Sequence, residues 1–200
     1  MPVSLGQQGQ PGFDSPLELM SDCHRRIESF LAVFGRVLDR YASRDLDEEG
    51  VNALRTAQRY FREGAPRHTE DEEHSLFPRL RQLERDDLGE LLEAADRLER
   101  QHDEAERLHA SVDARVDRWL DARRLSAADA KAMAADLETL DRLYAEHIAF
   151  EDNVLFPAAA RVLDEPALRS IGEEMAARRG RNTDGTTARE AGDDTRRTQR

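Results

Sequence analysis

The sequence HTEDEEHSLFP at residues 68–78 recurs in the form HIAFEDNVLFP at residues 147–157, and the two stretches align without a gap. Both begin with His-x-x-x-Glu and end with Leu-Phe-Pro. Because residues i and i+4 lie on one face of a helix, the histidine and the glutamate of each stretch would project side by side. The repeat therefore predicts two helices that each carry a His/Glu pair, one in each half of the chain.

Two further histidines extend this repeat. His24 precedes His68 by 44 residues, and His102 precedes His147 by 45 residues. Each half then consists of one helix with a single histidine and a second helix with a His/Glu pair. We expect two helical hairpins of the same design, related by a pseudo-twofold axis, with six side chains converging where that axis crosses the core.

Apolar residues recur at alternating intervals of three and four through four long segments, which is typical of amphipathic helices. Start signals place the beginnings of these helices at Asp14 or Ser15, near Asp47, near Asp87 and at the capping box Ser126–Asp129. Gly64 and Pro66 predict a kink in the second helix, because proline removes a backbone donor and crowds the preceding turn.

Four long helices with short connections predict an all-α fold, an antiparallel up-down-up-down four-helix bundle over residues 14–165. A short C-terminal helix is expected at residues 166–178. Residues 1–13 are predicted to be a flexible N-terminus. Residues 179–200, which are rich in Gly, Thr, Asp and Arg, are predicted to be a disordered tail.

The composition excludes several classes of protein. The net charge is -12, and residues 1–177 alone carry -15, so nucleic acid would be repelled. A single cysteine, Cys23, excludes an internal disulfide and a cysteine-based zinc site. No apolar run approaches the ~18 residues of a membrane span, and no signal peptide is evident. We therefore expect a cytoplasmic protein that binds neither nucleic acid nor membrane.

Six ionisable residues lie on the apolar helix faces, where a lone polar group is costly unless it is paired or ligated. The predicted metal ligands are His24, His68, Glu72, His102, His147 and Glu151. Six such donors exceed the needs of one tetrahedral zinc ion and suit two ions with both glutamates bridging. Imidazole and carboxylate without thiolate favour non-haem iron, with manganese as the second choice. A metal-free bundle would leave several kcal/mol of desolvation uncompensated.

These residues and the twice-repeated H-x-x-x-E-x-x-x-L-F-P resemble the hemerythrin HHE cation-binding domain family over roughly residues 15–163. The resemblance implies an antiparallel four-helix bundle around an oxo- or hydroxo-bridged di-iron centre that binds dioxygen, nitric oxide or iron itself. Hemerythrins proper carry a second histidine four residues after the one on helix three. Here Glu106 stands at that position, either as a seventh ligand or as a carboxylate beside the ligands that leaves a coordination site open.

Two functions follow from this resemblance. The first is a binding protein for dioxygen or nitric oxide that acts as a carrier, store or sensor, and the nitrogen-rich ligand set favours such reversible binding. The alternative is a di-iron enzyme that acts on peroxide or nitric oxide, or that donates iron to damaged iron–sulfur clusters, as the repair proteins with this ligand pattern do. The sequence identifies no protein partner.

Several neighbouring residues are expected to lie outside the ligand set. His109 lies two helical turns beyond His102, ~10.5 Å along the axis, and is expected to pack in the core or to bond Tyr144. His74 is expected to face solvent. Cys23 is interpreted as a buried inert thiol, with a redox role as the alternative.

The acidic residues beside Glu72 are expected to form a solvated helix face. They are Glu70, Asp71 and Glu73. A functional alternative is that Glu70 or Glu73 guides cations toward the kinked segment at Pro66, where the helix is easiest to open.

Overall fold

The computed structural model describes residues 12–83 and 85–181, and within these ranges the chain is helical with no strand. The all-α prediction is confirmed. The helices are α1 (Pro16–Tyr41), α2 (Glu48–Glu63), α3 (Ala65–Asp71), α4 (Phe77–Gln82), α5 (Gly89–Ala122), α6 (Ala127–Phe150), α7 (Phe156–Val162) and α8 (Glu165–Arg178). Residues 1–11 of the expected flexible N-terminus and residues 182–200 of the expected disordered tail lie outside the described residues.

The long helices contact one another in a closed ring. Helix α1 packs against α2 and α6, and α5 packs against α6 and α2, as in a four-helix arrangement. The backbone N–H of Leu46 donates to the carbonyl of Arg123 at 2.8 Å, so the α1–α2 and α5–α6 connections meet at one end. None of the described helices is long and apolar enough to cross a membrane.

Side-chain caps fix where three helices begin. The Asp47 carboxylate accepts the backbone N–H of Gly50 at 2.9 Å, and the Ser126 hydroxyl accepts that of Asp129 at 3.0 Å. Both caps lie where the sequence predicts them. Asp164 caps α8 in the same way, because such an oxygen satisfies one of the unpaired N–H groups in the first turn.

Two apolar clusters fill the interior. The first includes Phe34, Leu54 and Trp119, and the second includes Phe77 and Ile171. On each of the four helical segments that cross both clusters, one histidine lies between the residues of the first and those of the second, namely His24, His68, His102 and His147. The polar residues therefore form a layer between two apolar regions.

The second helical segment breaks near the predicted kink and again at the repeated motif. Helix α2 ends before Gly64, and α3 begins directly after it. The stretches Glu72–Leu76 and Glu151–Leu155 form π-helical turns, here called the first and second π turns. In each π turn, the phenylalanine of Leu-Phe-Pro donates its backbone N–H to the glutamate carbonyl five residues earlier. The proline that follows lacks an N–H and crowds the carbonyl four residues before it, which favours this wider turn.

Helix α8 is fastened to α3 by a buried ion pair, which corrects one expectation. Asp71 was expected on a solvated face, but its side chain is fully buried. Its two carboxylate oxygens accept hydrogen bonds from Arg178 at 2.9 Å and from Arg179 at 2.6 Å. The guanidinium groups of α8 and of the residue after it compensate the charge, so Asp71 can lie in the interior. Arg179, the first residue of the expected tail, is thus held against the fold.

The N-terminal side of α1 also lies against α8. A Cβ atom placed on Gly172 would lie 1.8 Å from the carbonyl oxygen of Phe13. Only glycine allows this close approach of two backbone segments. The contact holds Phe13, the last residue of the expected flexible N-terminus, against the C-terminal helix.

Candidate metal centre

The structure brings all six predicted ligands together in the polar layer. They form two groups of four whose possible ligand atoms lie within 4.8 Å of one another. The first group, here called the His24/His68 position, also contains Glu72 and Glu151. The second group, the His102/His147 position, contains the same two glutamates. Two histidines are therefore particular to each position, and both carboxylates are shared.

Each shared carboxylate presents one oxygen to each position. Glu72 Oε1 lies 3.5 Å from His68 Nε2, and Glu72 Oε2 lies 3.3 Å from His102 Nε2. Glu151 Oε2 lies 3.0 Å from His24 Nε2, and Glu151 Oε1 lies 3.0 Å from His147 Nε2. This is the orientation that a carboxylate needs to bridge two ions.

Five of the buried donor atoms make no well-oriented hydrogen bond within the described part of the protein, although imidazole nitrogens lie nearby, and a metal would satisfy them. Both glutamate side chains are fully buried, yet none of their four carboxylate oxygens has a hydrogen-bond partner among the described residues. The Nε2 atom of His24 is equally without one. A buried polar group left unpaired costs about 1–3 kcal/mol, and a charged one costs more. Cations at the two positions would supply the missing partners, so the donor set fits a pair of metal ions.

The electrostatics of the cluster are those of closely coupled buried groups. Burial, and then the charge of Glu151, raises the pKa of Glu72 to about 7. Burial also acts to raise the pKa of Glu151. The close contacts of Glu151 with His147 and His24 outweigh burial, so the pKa of Glu151 is lowered. Burial lowers the pKa of His68 well below its usual value, so this imidazole is neutral and has a lone pair available for a metal.

Three of the four histidines are held from behind by an oxygen atom. The Nδ1 atom of His24 lies 3.0 Å from Asp152 Oδ1, and that of His102 lies 2.7 Å from Glu73 Oε1. The Nδ1 atom of His147 lies 3.0 Å from Gln101 Oε1. A hydrogen bond at Nδ1 fixes the proton there and leaves the Nε2 lone pair directed to the centre.

The repeated motif supplies these supports in a crossed manner. Glu73 directly follows Glu72 but contacts His102 of the second half. Asp152 directly follows Glu151 but contacts His24 of the first half. The phenylalanines of Leu-Phe-Pro stack in the same crossed sense, on His102 with ring centroids 6.5 Å apart and on His24 at 5.6 Å. Each π turn therefore carries a glutamate shared by the two positions and a carboxylate that bonds a histidine of the other half.

Sequence reasoning missed these supporting residues. Glu73 was expected on a solvated face, whereas it is half-buried and bonds His102. The repeat contained a signal, because Glu73 and Asp152 occupy the same place in the two aligned stretches. Gln101 has no matching residue type in the first half, where Cys23 stands at the corresponding place.

The other candidate residues lie outside the cluster. Glu106 is exposed and belongs to neither group of donors, and His74 is exposed as expected. His109 bonds the Tyr144 hydroxyl at 2.9 Å, as predicted, and burial lowers the pKa of His109 to about 4. Cys23 is buried, and burial raises the pKa of its thiol, so the thiolate is disfavoured.

A cavity of about 250 Å³ adjoins the cluster. All four cluster histidines line it, and Phe61 and Tyr144 form part of its wall. The exposed residues Glu70, Asp103 and Glu106 also line it, and none of the lining residues is Lys or Arg. The cavity therefore links the buried donors to an acidic part of the surface.

Comparisons with known proteins agree with this geometry. The chain is 24% identical to an uncharacterized protein of Haemophilus influenzae over 170 residues, which cover 84% of this chain and 91% of that protein. A family model for the hemerythrin HHE cation-binding domain matches residues 15–159, which contain all six donors. The two π turns and both groups of donors lie within this match. The chain belongs to the hemerythrin HHE cation-binding domain family.

Proposed function

We propose that this chain is a non-haem di-iron protein of the hemerythrin type. One ion would be held by His24 and His68 and the other by His102 and His147, with Glu72 and Glu151 bridging. The observation that carries this proposal is that each glutamate turns one oxygen toward each pair of histidines. A site for a single ion would not require both carboxylates to direct their two oxygens toward different pairs of histidines.

The donor types support iron as the metal. Each position offers two imidazoles and two carboxylate oxygens, with no thiolate. Four donors would complete the usual tetrahedral coordination of a zinc ion and leave no position open for a small molecule. Iron accepts five or six ligands, so it would keep positions free for a small molecule. Manganese is the second choice, because it accepts the same ligand types.

The crossed contacts support an antiparallel up-down-up-down bundle with pseudo-twofold symmetry. In that topology, the first and second halves face each other across the core. Glu73 and Asp152 then reach across to His102 and His24, as their hydrogen bonds require. The shared end of the α1–α2 and α5–α6 connections agrees with the same topology.

The molecule bound would be a small diatomic, dioxygen or nitric oxide, in a cytoplasmic carrier, store or sensor. The bound iron would supply both the coordination position and the electrons that hold such a molecule. The protein supplies the rest: it shields the centre with apolar clusters on two sides and gives access through the cavity beside the histidines. Tyr144, which lines that cavity, packs its ring edge-on against His147, with the ring centroids 6.5 Å apart.

The size of the cavity favours a second candidate function. About 250 Å³ is several times the ~30 Å³ that one water occupies in the liquid, so the space exceeds the needs of a diatomic. Transfer of iron to an acceptor such as a damaged iron–sulfur cluster would use this extra volume. Turnover of peroxide or nitric oxide, which need no more room than dioxygen, belongs to the same alternative. Under this alternative, the same six ligands hold the iron.

One experiment separates the two candidates. The iron-loaded protein is reduced without oxygen and then exposed in turn to dioxygen, peroxide and nitric oxide while its optical spectrum is followed. A stable band that disappears when dioxygen is removed supports the binding protein. Rapid autoxidation, or the catalytic loss of peroxide or nitric oxide, supports the enzyme. A spectrum that none of the three reagents changes contradicts both.

A further inference from the structure

One histidine of the cluster lacks the support that the other three possess. Among the described residues, the Nδ1 atom of His68 has no hydrogen-bond partner, although its side chain is 4% exposed. The remaining three cluster histidines each have an oxygen 2.7–3.0 Å from Nδ1. An imidazole without such a bond is less firmly oriented and is a weaker metal ligand.

The internal repeat explains why His68 is the exception. Gln101 directly precedes His102 and holds His147 from behind. In the first half, Cys23 directly precedes His24, so it stands where Gln101 stands in the second half. A thiol is only a weak acceptor, and a cysteine side chain is two heavy atoms shorter in reach than glutamine. The pair Cys23 and His68 therefore lacks the bond that Gln101 and His147 make.

The other contacts that could distinguish the two metal positions are equivalent. Each position has one histidine held by a carboxylate, His24 by Asp152 and His102 by Glu73. Both positions share the two bridging glutamates, and the cavity is lined by histidines of both. Access and bridging ligands are thus common to the two positions, and the difference lies in the Gln101 contact.

We infer that the two metal positions are unequal and that the His24/His68 position holds its ion more weakly and exchanges it. Gln101 is the positioning residue that makes the His102/His147 position the stronger one. This inference rests on the proposed di-iron function. It gives the protein a resident ion and an exchangeable ion, so that a chelating acceptor of ferrous iron can take one ion from the chain while the other stays.

The test follows the release of ferrous iron from the full, loaded chain to a coloured chelator without oxygen. Wild type should release two equal phases, the first at least about tenfold faster than the second, since such supporting contacts change metal affinity about 10–100-fold. Gln101→Cys should accelerate the slow phase until the two merge. Cys23→Ala is the matched control and should leave both phases unchanged, because Cys23 makes no bond to His68.

The outcomes distinguish this inference from the proposed function. If wild type binds no iron, or one ion, the di-iron function is wrong. If two ions leave in a single phase, the two positions are equal. If two phases persist unchanged in Gln101→Cys, Gln101 does not cause the difference between the positions. Either result overturns the inference. Gln101→Ala serves as the second variant if Gln101→Cys fails to fold, and urea unfolding of the metal-free variants checks that their stability is unchanged.

Discussion

Glu73 and His102 belong to opposite halves of the chain, yet Glu73 Oε1 lies 2.7 Å from His102 Nδ1. Burial lowers the pKa of His102, but its contacts with Glu72 and Glu73 outweigh burial and raise that pKa to about 10. A carboxylate behind an imidazole fixes its ring and increases its basicity as a ligand. The contact therefore connects the first π turn to the candidate metal ligand on α5.

Removal of this carboxylate should weaken metal binding without removing a ligand. We expect Glu73→Ala to lower the affinity for ferrous iron about 10–100-fold, as measured by competition with a chelator. Glu104→Ala, which removes an exposed glutamate from the same helix as His102, should leave the affinity unchanged. Equal affinities in Glu73→Ala and wild type would show that the contact does not support the ligand.

Metal affinity should rise with pH. The pKa of Glu72 is raised to about 7 and that of His102 to about 10 in the metal-free cluster, so both groups hold protons that a metal must displace. Each displaced proton changes the apparent affinity about tenfold per pH unit below the pKa of its group. Titrations at three pH values between about 6 and 8 should therefore show increasing affinity. A constant or falling affinity across this range would mean that no proton is released.

His109 should make the protein sensitive to acid. Its pKa is lowered to about 4 by burial, against about 6.5 in an unfolded chain, so the unfolded state takes up the proton first as the pH falls. Its contribution to the free energy of unfolding is present above pH 6.5 and should decrease by about 3 kcal/mol as the pH falls to about 4. Urea unfolding of wild type and His109→Gln, both without metal, measures this difference. Parallel pH profiles for the two proteins would exclude this role of His109.

Loss of the arginines that pair with Asp71 should lower the free energy of unfolding more than loss of the Asp71 charge. Arg178→Ala with Arg179→Ala leaves a fully buried carboxylate without its cations, which should cost about 3–5 kcal/mol of unfolding free energy. Asp71→Asn should cost less, because the two arginines are 19% and 17% exposed and can reach water. Arg169→Ala, which removes an exposed i,i+4 pair, should change stability by less than about 0.5 kcal/mol. A larger loss of unfolding free energy in Asp71→Asn than in the double arginine variant would contradict this prediction, because the unpaired arginines would then cost more than the unpaired carboxylate.

The sequence was sufficient for the parts of the fold that depend on local pattern. The caps at Asp47 and Ser126, the break near Gly64 and the meeting of all six ionisable residues follow from residue spacing and from the internal repeat. Asp71 shows where such reasoning ends. Its burial depends on two arginines more than 100 residues away, and no local signal reports that contact.

The supporting residues of the site illustrate a second limit. Glu73 and Asp152 could have been found from the repeat, because each directly follows a glutamate that the sequence predicts to be a ligand. Which histidine each carboxylate bonds depends on how the two halves of the chain cross in space. The sequence does not specify this packing. The π turns were also missed, because periodicity at 3.6 residues does not register a single wider turn.

The central claim, a shared pair of metal positions, is tested most directly by the iron content of the purified protein after anaerobic loading. We expect about two irons per chain, as the two groups of donors require. His68→Ala and Glu151→Ala should lose iron, whereas His74→Ala and Glu106→Gln should keep both ions, because those residues lie outside the two groups. One zinc per chain, no bound metal, or equal iron content in all four variants would contradict the account.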